Sequence, residues 1–206
     1  MKRTAIALVL AAAVSAAATE AHAQGFGRSI AVSGDQVLVG EPKFGQSPGT
    51  VYVYERSGGE WTEVAALQSP DGQGAFGWGL AADGDQLLVT SANVRRGGGG
   101  QVYPFTRSGD AWAPSGQLDF AEVPEGATTG LGAALNGDVA LVTVGSPRGQ
   151  SAWQVRVFRR GADGWAAGET LAAPEAGGRS FFGSAFAFRD GRVFIGDPAQ
   201  DENGGA

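Results

Sequence analysis

Four runs of the chain repeat one phrase without a gap: Phe26 to Pro42 (FGRSIAVSGDQVLVGEP), Phe76 to Ala92 (FGWGLAADGDQLLVTSA), Thr129 to Gly145 (TGLGAALNGDVALVTVG) and Phe182 to Pro198 (FGSAFAFRDGRVFIGDP). Their glycines Gly27, Gly77, Gly130 and Gly183 fall 50, 53 and 53 residues apart. A period of this length marks a repeat architecture, in which each unit buries its apolar face only by stacking on its neighbours. The repeats run approximately over 26–75, 76–128, 129–181 and 182–206, the last one truncated.

Inside each phrase two short apolar segments flank a turn: Ser33-Gly34-Asp35, Asp83-Gly84-Asp85, Asn136-Gly137-Asp138 and Arg189-Asp190-Gly191. Such residues tolerate positive φ, so the pattern predicts a β-hairpin. The segments after the turn, Val37-Leu38-Val39, Leu87-Leu88-Val89, Ala140-Leu141-Val142 and Val193-Phe194-Ile195, are apolar at successive positions. That predicts a strand covered on both faces.

A second hairpin follows. Tyr54, Phe105 and Phe158 each precede a tryptophan by seven residues, at Trp61, Trp112 and Trp165, across a short polar turn. Each aromatic and its tryptophan are expected on paired strands, and a tryptophan recurring in every unit is expected to anchor the core rather than bind a ligand. Leu67, Leu118 and Leu171 come six residues later, and Pro70, Pro124 and Pro174 close the units. Pro104 cannot donate a hydrogen bond, which predicts a weakened or edge-facing third strand in repeat two. Four strands per unit with no helical periodicity is the arithmetic of a β-propeller blade, giving an all-β array of about three and a half blades. The array is expected to be incomplete, a segment of a longer propeller.

Lys2 and Arg3 precede an apolar run from Ala5 to Ala18 and then Ala21-His22-Ala23, the pattern of a secretory signal over residues 1–23. The run of 14 residues is shorter than the roughly 20 needed to span a bilayer, so no membrane span is expected. A secreted, periplasmic or cell-surface location follows. Without that segment 13 basic residues face 20 acidic ones, which argues against nucleic acid as a partner. The only histidine, His22, lies in the signal, and the chain has no cysteine. Imidazole or thiolate catalysis and disulfides are thereby excluded from the secreted form.

The consensus F-G-x-S-x-A, V-G-x-P, G-x-V-Y-V-Y and W resembles the FG-GAP repeat of integrin α-subunit propellers and of secreted bacterial proteins. Phe26-Gly27, Val39-Gly40-Glu41-Pro42 and Gly49 to Tyr54 carry the likeness, which extends over nearly all of residues 24–206. Repeat three departs from it, having Thr129-Gly130 in place of Phe-Gly. The resemblance implies a binding or structural propeller. Several members of that family carry a calcium loop rich in aspartate in the first hairpin. Here the hairpin turn offers one or two carboxylates, too few for the six to eight oxygens calcium takes, so no metal and no cofactor are expected.

Two glycine motifs read as loops. Gly72 to Gly77 matches G-x-G-x-x-G but precedes a strand rather than a helix, and Gly97 to Gly100 lacks the Lys-Ser/Thr of a phosphate loop. Ser108 to Trp112 lacks the spacing of a sialidase Asp-box. Four residues remain as candidates. Glu41 and Asp197 occupy matching positions before a proline, and two such carboxylates from separate blades could form an acid–base pair; as solvated turn acids they would do nothing. Trp78 and Trp153 do not recur, which suits a ligand surface, although each could equally fill a local gap in the core. The expected function is a non-enzymatic scaffold binding an extracellular protein or glycan, with self-association through an exposed blade edge. The alternative is part of a propeller hydrolase that uses blade-loop carboxylates.

Overall fold

The computed structural model describes residues 25–43, 48–72, 74–94, 99–146, 152–173 and 180–198. Residues 1–24, which include the expected signal segment, Pro174 and the residues beyond Pro198 lie outside them. Among the described residues there is no helix, and hence none long and apolar enough to cross a membrane. Within these residues fourteen strands form three four-stranded sheets and one two-stranded sheet, every one an antiparallel meander. The first blade comprises β1 (Ser29–Ser33), β2 (Gln36–Glu41), β3 (Thr50–Ser57) and β4 (Glu60–Leu67). The second comprises β5 (Phe76–Asp83), β6 (Gln86–Ala92), β7 (Gly100–Ser108) and β8 (Ala111–Pro114). The third comprises β9 (Thr128–Asn136), β10 (Val139–Gly145), β11 (Gln154–Gly161) and β12 (Gly164–Ala172). Two strands, β13 (Ala185–Arg189) and β14 (Arg192–Gly196), make the last. The fold is an all-β, propeller-like array of blades without barrel closure.

The turn chemistry acts as the sequence predicts. Gly34, Gly84 and Gly137 sit at φ between +53° and +60°, and Asp190 takes φ +52° at the same position in the last blade. A short polar side chain tolerates that left-handed conformation better than most.

Blades stack face to face, with the first strands β1, β5, β9 and β13 neighbouring one another along the array. Strand alternation sends one set of side chains to each face. Leu38, Val51, Val53 and Leu67 of the first blade cover Leu87, Val89, Tyr103, Phe105 and Trp112 of the second. Leu88, Val102 and Leu118 then cover Ala140, Val142 and Phe158, and Leu141, Val155 and Val157 cover Phe182, Phe186 and Ile195. Each blade thus offers a leading face to the blade before it and a trailing face to the blade after it.

Burial therefore depends on place in the array, and this corrects two expectations. Trp112 is 8% exposed and its indole N–H donates to Gln36 Oε1 of the preceding blade at 2.8 Å, as befits a core anchor. Trp61, at the same position in the first blade, is 54% exposed, because no described blade precedes it. Trp165 is intermediate, packed against the second joint. Likewise Leu38, Leu88 and Leu141 are buried, whereas their counterpart Phe194 is 57% exposed on the trailing face of the last blade. Among the described strands that follow the hairpin, β2, β6 and β10 are buried along almost their whole length, Val39 of β2 included, and β14 is the exposed one.

Pro104 also acts differently from its expected effect. β7 is intact, nine residues long and in continuous register with β6, with Leu88 opposite Pro104. The loss falls on β8, which has four residues where β4 has eight. The Pro104 carbonyl accepts from Ser115 N on the β8 side. A residue's N–H and C=O point to the same side of a strand, so the missing donor is subtracted from the β7–β8 ladder alone. The chain leaves that ladder after Pro114, and Leu118 N returns to Val102 O at 2.9 Å.

The recurring glycines meet at the joints between blades. Gly77 has φ +85°, and a Cβ on it would stand 3.0 Å from Thr50 O and 3.2 Å from Gly40 Cα. A Cβ on Gly40 would in turn run into the Gly77 carbonyl and Ser29 Oγ. At the first joint Phe76-Gly77 of one blade thus abuts Val39-Gly40 of the blade before it, backbone on backbone, whereas Gly130 and Gly183 meet the side chains of Thr90 and Thr143. Ser29 Oγ donates to Gly77 O at 2.8 Å, and at the last joint Thr143 Oγ1 donates to Gly183 O at 2.5 Å. At the middle joint Thr90 Oγ1 is buried with no hydrogen-bond partner among the described residues.

Candidate functional site

The position after each phrase glycine holds Arg28, Trp78, Leu131 or Ser184, at the start of the innermost strands. The β5–β6 register shifts between Phe76 and Gly79, so Gly77-Trp78 form a bulge, a device that re-aims a side chain. Trp78 lies under the Arg28 guanidinium, 4.1 Å from ring centroid to Cζ, and its indole N–H donates to Leu131 O at 3.3 Å. Side chain or backbone from three successive blades thus converges on one half-buried indole. Trp153 behaves as a gap filler: its ring packs edge-on against Phe181 at 5.2 Å and closes over Gly145 in the third joint.

The two candidate carboxylates are each held by residues near them in sequence, Glu41 within the first repeat and Asp197 at the junction of the third and fourth. Glu41 is buried, accepts from Tyr52 Oη at 2.9 Å and pairs with Lys43 at 3.5 Å. Asp197 accepts from Ser180 Oγ at 2.8 Å and from Phe181 N at 2.7 Å, tying down the entry to the last blade. No hydrogen bond joins one carboxylate to the other. Burial, then the Glu41 hydrogen bond and charge, raises the Tyr52 pKa. Tyr103, at the same repeat position, donates to Asp71 Oδ2 at 2.8 Å and is pushed up more strongly, mainly by burial. Among the described residues no three His, Cys, Asp or Glu side chains cluster as metal ligands would.

A cleft of about 490 Å³ opens beside the shortened β8. Its walls are the start of β7, the segment from Gln117 to Ala127 and Thr129 at the start of β9. Gln101, Gln117 and Asp119 bring amides and a carboxylate, and Phe120 and Val123 bring apolar surface. Gln117 Nε2 donates to Gln101 Oε1, and Thr129 Oγ1 donates to Gly100 O at 2.6 Å. Phe120 is fixed by an edge contact with Phe158, ring centroids 5.0 Å apart. Below it Arg156 donates to Glu122 O, holding the segment on the third blade.

None of the four sequence candidates lines this cleft. A signal was present in Phe120, since Leu118 is followed by Asp119-Phe120 where Leu67 and Leu171 are followed by Gln68-Ser69 and Ala172-Ala173. Phe120 is a non-repeating aromatic by the same criterion that selects Trp78 and Trp153. The glycine motif at Gly72 to Gly77, of which Gln73 lies outside the described residues, links β4 to β5 and opens no helix. The Gly97 to Gly100 run is described only from Gly99, where Gly99 N donates to Ala127 O at the cleft rim.

Comparison with protein-family models gives no match to the chain, and comparison with curated proteins gives none either.

Proposed function

We propose that the chain is a secreted, non-enzymatic β-propeller of the FG-GAP type that binds a glycan in the cleft beside β8. It acts in the periplasm, at the cell surface or outside the cell after cleavage near Ala23. The observation that carries this reading is the cleft itself. It lies where repeat two departs from its siblings, and it combines paired amides, a carboxylate and one aromatic. Sugars present hydroxyls that both donate and accept, together with apolar C–H faces, and a wall of Gln101, Gln117, Asp119 and Phe120 answers both. The Arg28–Trp78 pair supplies a second aromatic surface, suited to a protein partner at the inner strands. Association of the chain through an open blade edge belongs to the same scaffold role.

Glycan-array binding followed by titration calorimetry tests the reading. Gln117→Ala and Asp119→Ala, both at exposed positions, are expected to weaken binding at least several-fold with the melting temperature unchanged. An array without a bound glycan, or binding indifferent to both changes, overturns it. Turnover of glycosides lost in Glu41→Ala would instead establish the hydrolase alternative.

A further inference from the structure

Many of the polar groups around the cleft beside β8 are spent on one another. Gly99 N donates to Ala127 O, Thr129 N to Gly99 O and Ala127 N to Pro124 O. Leu118 N is taken by Val102 O, and Thr129 Oγ1 donates to Gly100 O. Recognition therefore falls chiefly to three side chains, Gln101, Gln117 and Asp119. Gln117 Nε2 donates to Gln101 Oε1, so the two amides act as one unit. Each amide brings two N–H donors and a carbonyl with two lone pairs, and the bond between them uses one of each. The pair keeps an open N–H on Gln101 and an open carbonyl on Gln117, and exchanging the roles of the two amides leaves the same set.

We propose that this pair recognises the acetamido group of an N-acetylated amino sugar, so that the cleft selects neutral N-acetylhexosamine glycans. The inference rests on the glycan reading above and names the sugar class. An acetamido group is a planar amide with one N–H, one carbonyl and a methyl. Its N–H donates to Gln117 Oε1 and its carbonyl accepts from Gln101 Nε2, which leaves neither half of the pair stripped of water and unpaired. A lone hydroxyl offers both functions from a single atom and serves one amide at the expense of the other. The methyl needs apolar cover, and Phe120, Val123 and Pro124 supply it in the same cleft. Phe120 is held by its edge contact with Phe158, so that surface is in place before a ligand arrives.

Charge sets what the cleft refuses. Asp119 is the charged residue of its lining, and Glu122 and Glu125 stand exposed on the same segment. Among the described residues none of the three has an ion-pair partner. No lysine or arginine occurs from Ser108 to Pro147. Arg156 reaches the segment from the third blade, where Nη2 donates to Glu122 O. Arg95 and Arg96, just ahead of Gly99 in sequence, lie outside the described residues. A uronic or sialic acid meets like charge at this wall, whereas Asp119 accepts from the hydroxyls of a neutral sugar. A deacetylated amino sugar would satisfy Asp119 through its ammonium group but has no carbonyl for Gln101.

The test titrates the purified full chain by calorimetry with chitotetraose, its fully deacetylated counterpart, cellotetraose and tetragalacturonate. Cellotetraose has the linkage of chitotetraose without the acetamido groups. Chitotetraose is expected to bind roughly tenfold or more tighter than cellotetraose, the worth of about two added hydrogen bonds. Tetragalacturonate is expected not to bind. Gln101→Leu and Gln117→Leu are each expected to narrow the ratio between the two neutral oligomers to about twofold, with the melting temperature unchanged. A merely structural role for the amides would weaken both oligomers alike and keep the ratio. Equal binding of the two, or a ratio that survives both leucine variants, overturns the acetamido assignment and leaves the glycan site standing. Tightest binding of the deacetylated tetramer or of tetragalacturonate also overturns it and assigns the selection to charge, as do array hits confined to sugars without an acetamido group. Binding of no glycan at all overturns the glycan reading with it.

Discussion

Trp61 and Trp112 occupy the same place in successive repeats, so replacing each with alanine separates what the local sequence supplies from what the neighbouring blade supplies. The two differ in exposure by almost half a side chain, 54% against 8%. A tryptophan buries about 150–250 Å², and at about 25 cal/mol per Å² that difference is worth roughly 2–3 kcal/mol. Trp112→Ala also strips Gln36 Oε1 of its donor, which adds about 1 kcal/mol. Trp112→Ala is thus expected to cost about 3 kcal/mol more than Trp61→Ala. In a chain of this size that gap separates the two melting temperatures by roughly 6–12 °C. Urea unfolding followed by far-UV circular dichroism, at high dilution so that association does not contribute, measures it directly. Trp112→Phe isolates the hydrogen bond from the ring. Equal losses for the two alanine variants would refute the face-by-face account of burial, since they would mean that the leading face of the first blade is covered after all.

Two further outcomes follow from the buried polar groups. Tyr103 has its pKa raised by burial and by Asp71, so the folded chain keeps its proton while the unfolded chain loses it above about pH 10. The stability this contributes is complete below that pH and is lost as pH rises further. Tyr103→Phe is expected to cost about 1–2 kcal/mol at pH 7, a deficit that narrows in melts above about pH 10; a constant deficit would argue against the linkage. Thr90 Oγ1 is buried without a partner among the described residues, so Thr90→Val should leave stability unchanged or raise it by about 1 kcal/mol. A loss of more than about 1 kcal/mol in the same melts would show that the hydroxyl has a partner after all.

The hairpin turns, the four-strand period and the pairing of each aromatic strand with its tryptophan strand were legible because every repeat carries its own turn residues. Exposure was not legible from the same text. Glu60-Trp61 and Ala111-Trp112 follow almost identical turns, and what separates them is a neighbouring blade some 50 residues away in sequence. Pro104 was recognised as a ladder breaker, but the strand it weakens depends on which neighbour its absent N–H would have faced, and that is a matter of register. The cleft was not legible because Gln101 and Gln117, 16 residues apart in sequence, meet across the open end of the β7–β8 hairpin, where the chain has left the ladder after Pro114. Trp78 was picked out for not recurring, and the bulge that brings it to Arg28 and Leu131 arises from the same Phe-Gly phrase that was read as scaffold.

The abutting glycines have a further consequence. Where Gly40 meets Gly77, the separation of two blades is gauged by the thickness of the main chain, not by the bulk of any side chain. Core residues on either side can then drift in size, as Leu38, Leu88 and Leu141 give way to Phe194, without altering the pitch of the array. At the middle and last joints, where the pairs Thr90–Gly130 and Thr143–Gly183 replace the glycine pair, a threonine side chain enters the gauge. Those two joints are where a point substitution could change the spacing between blades and leave the blades themselves untouched.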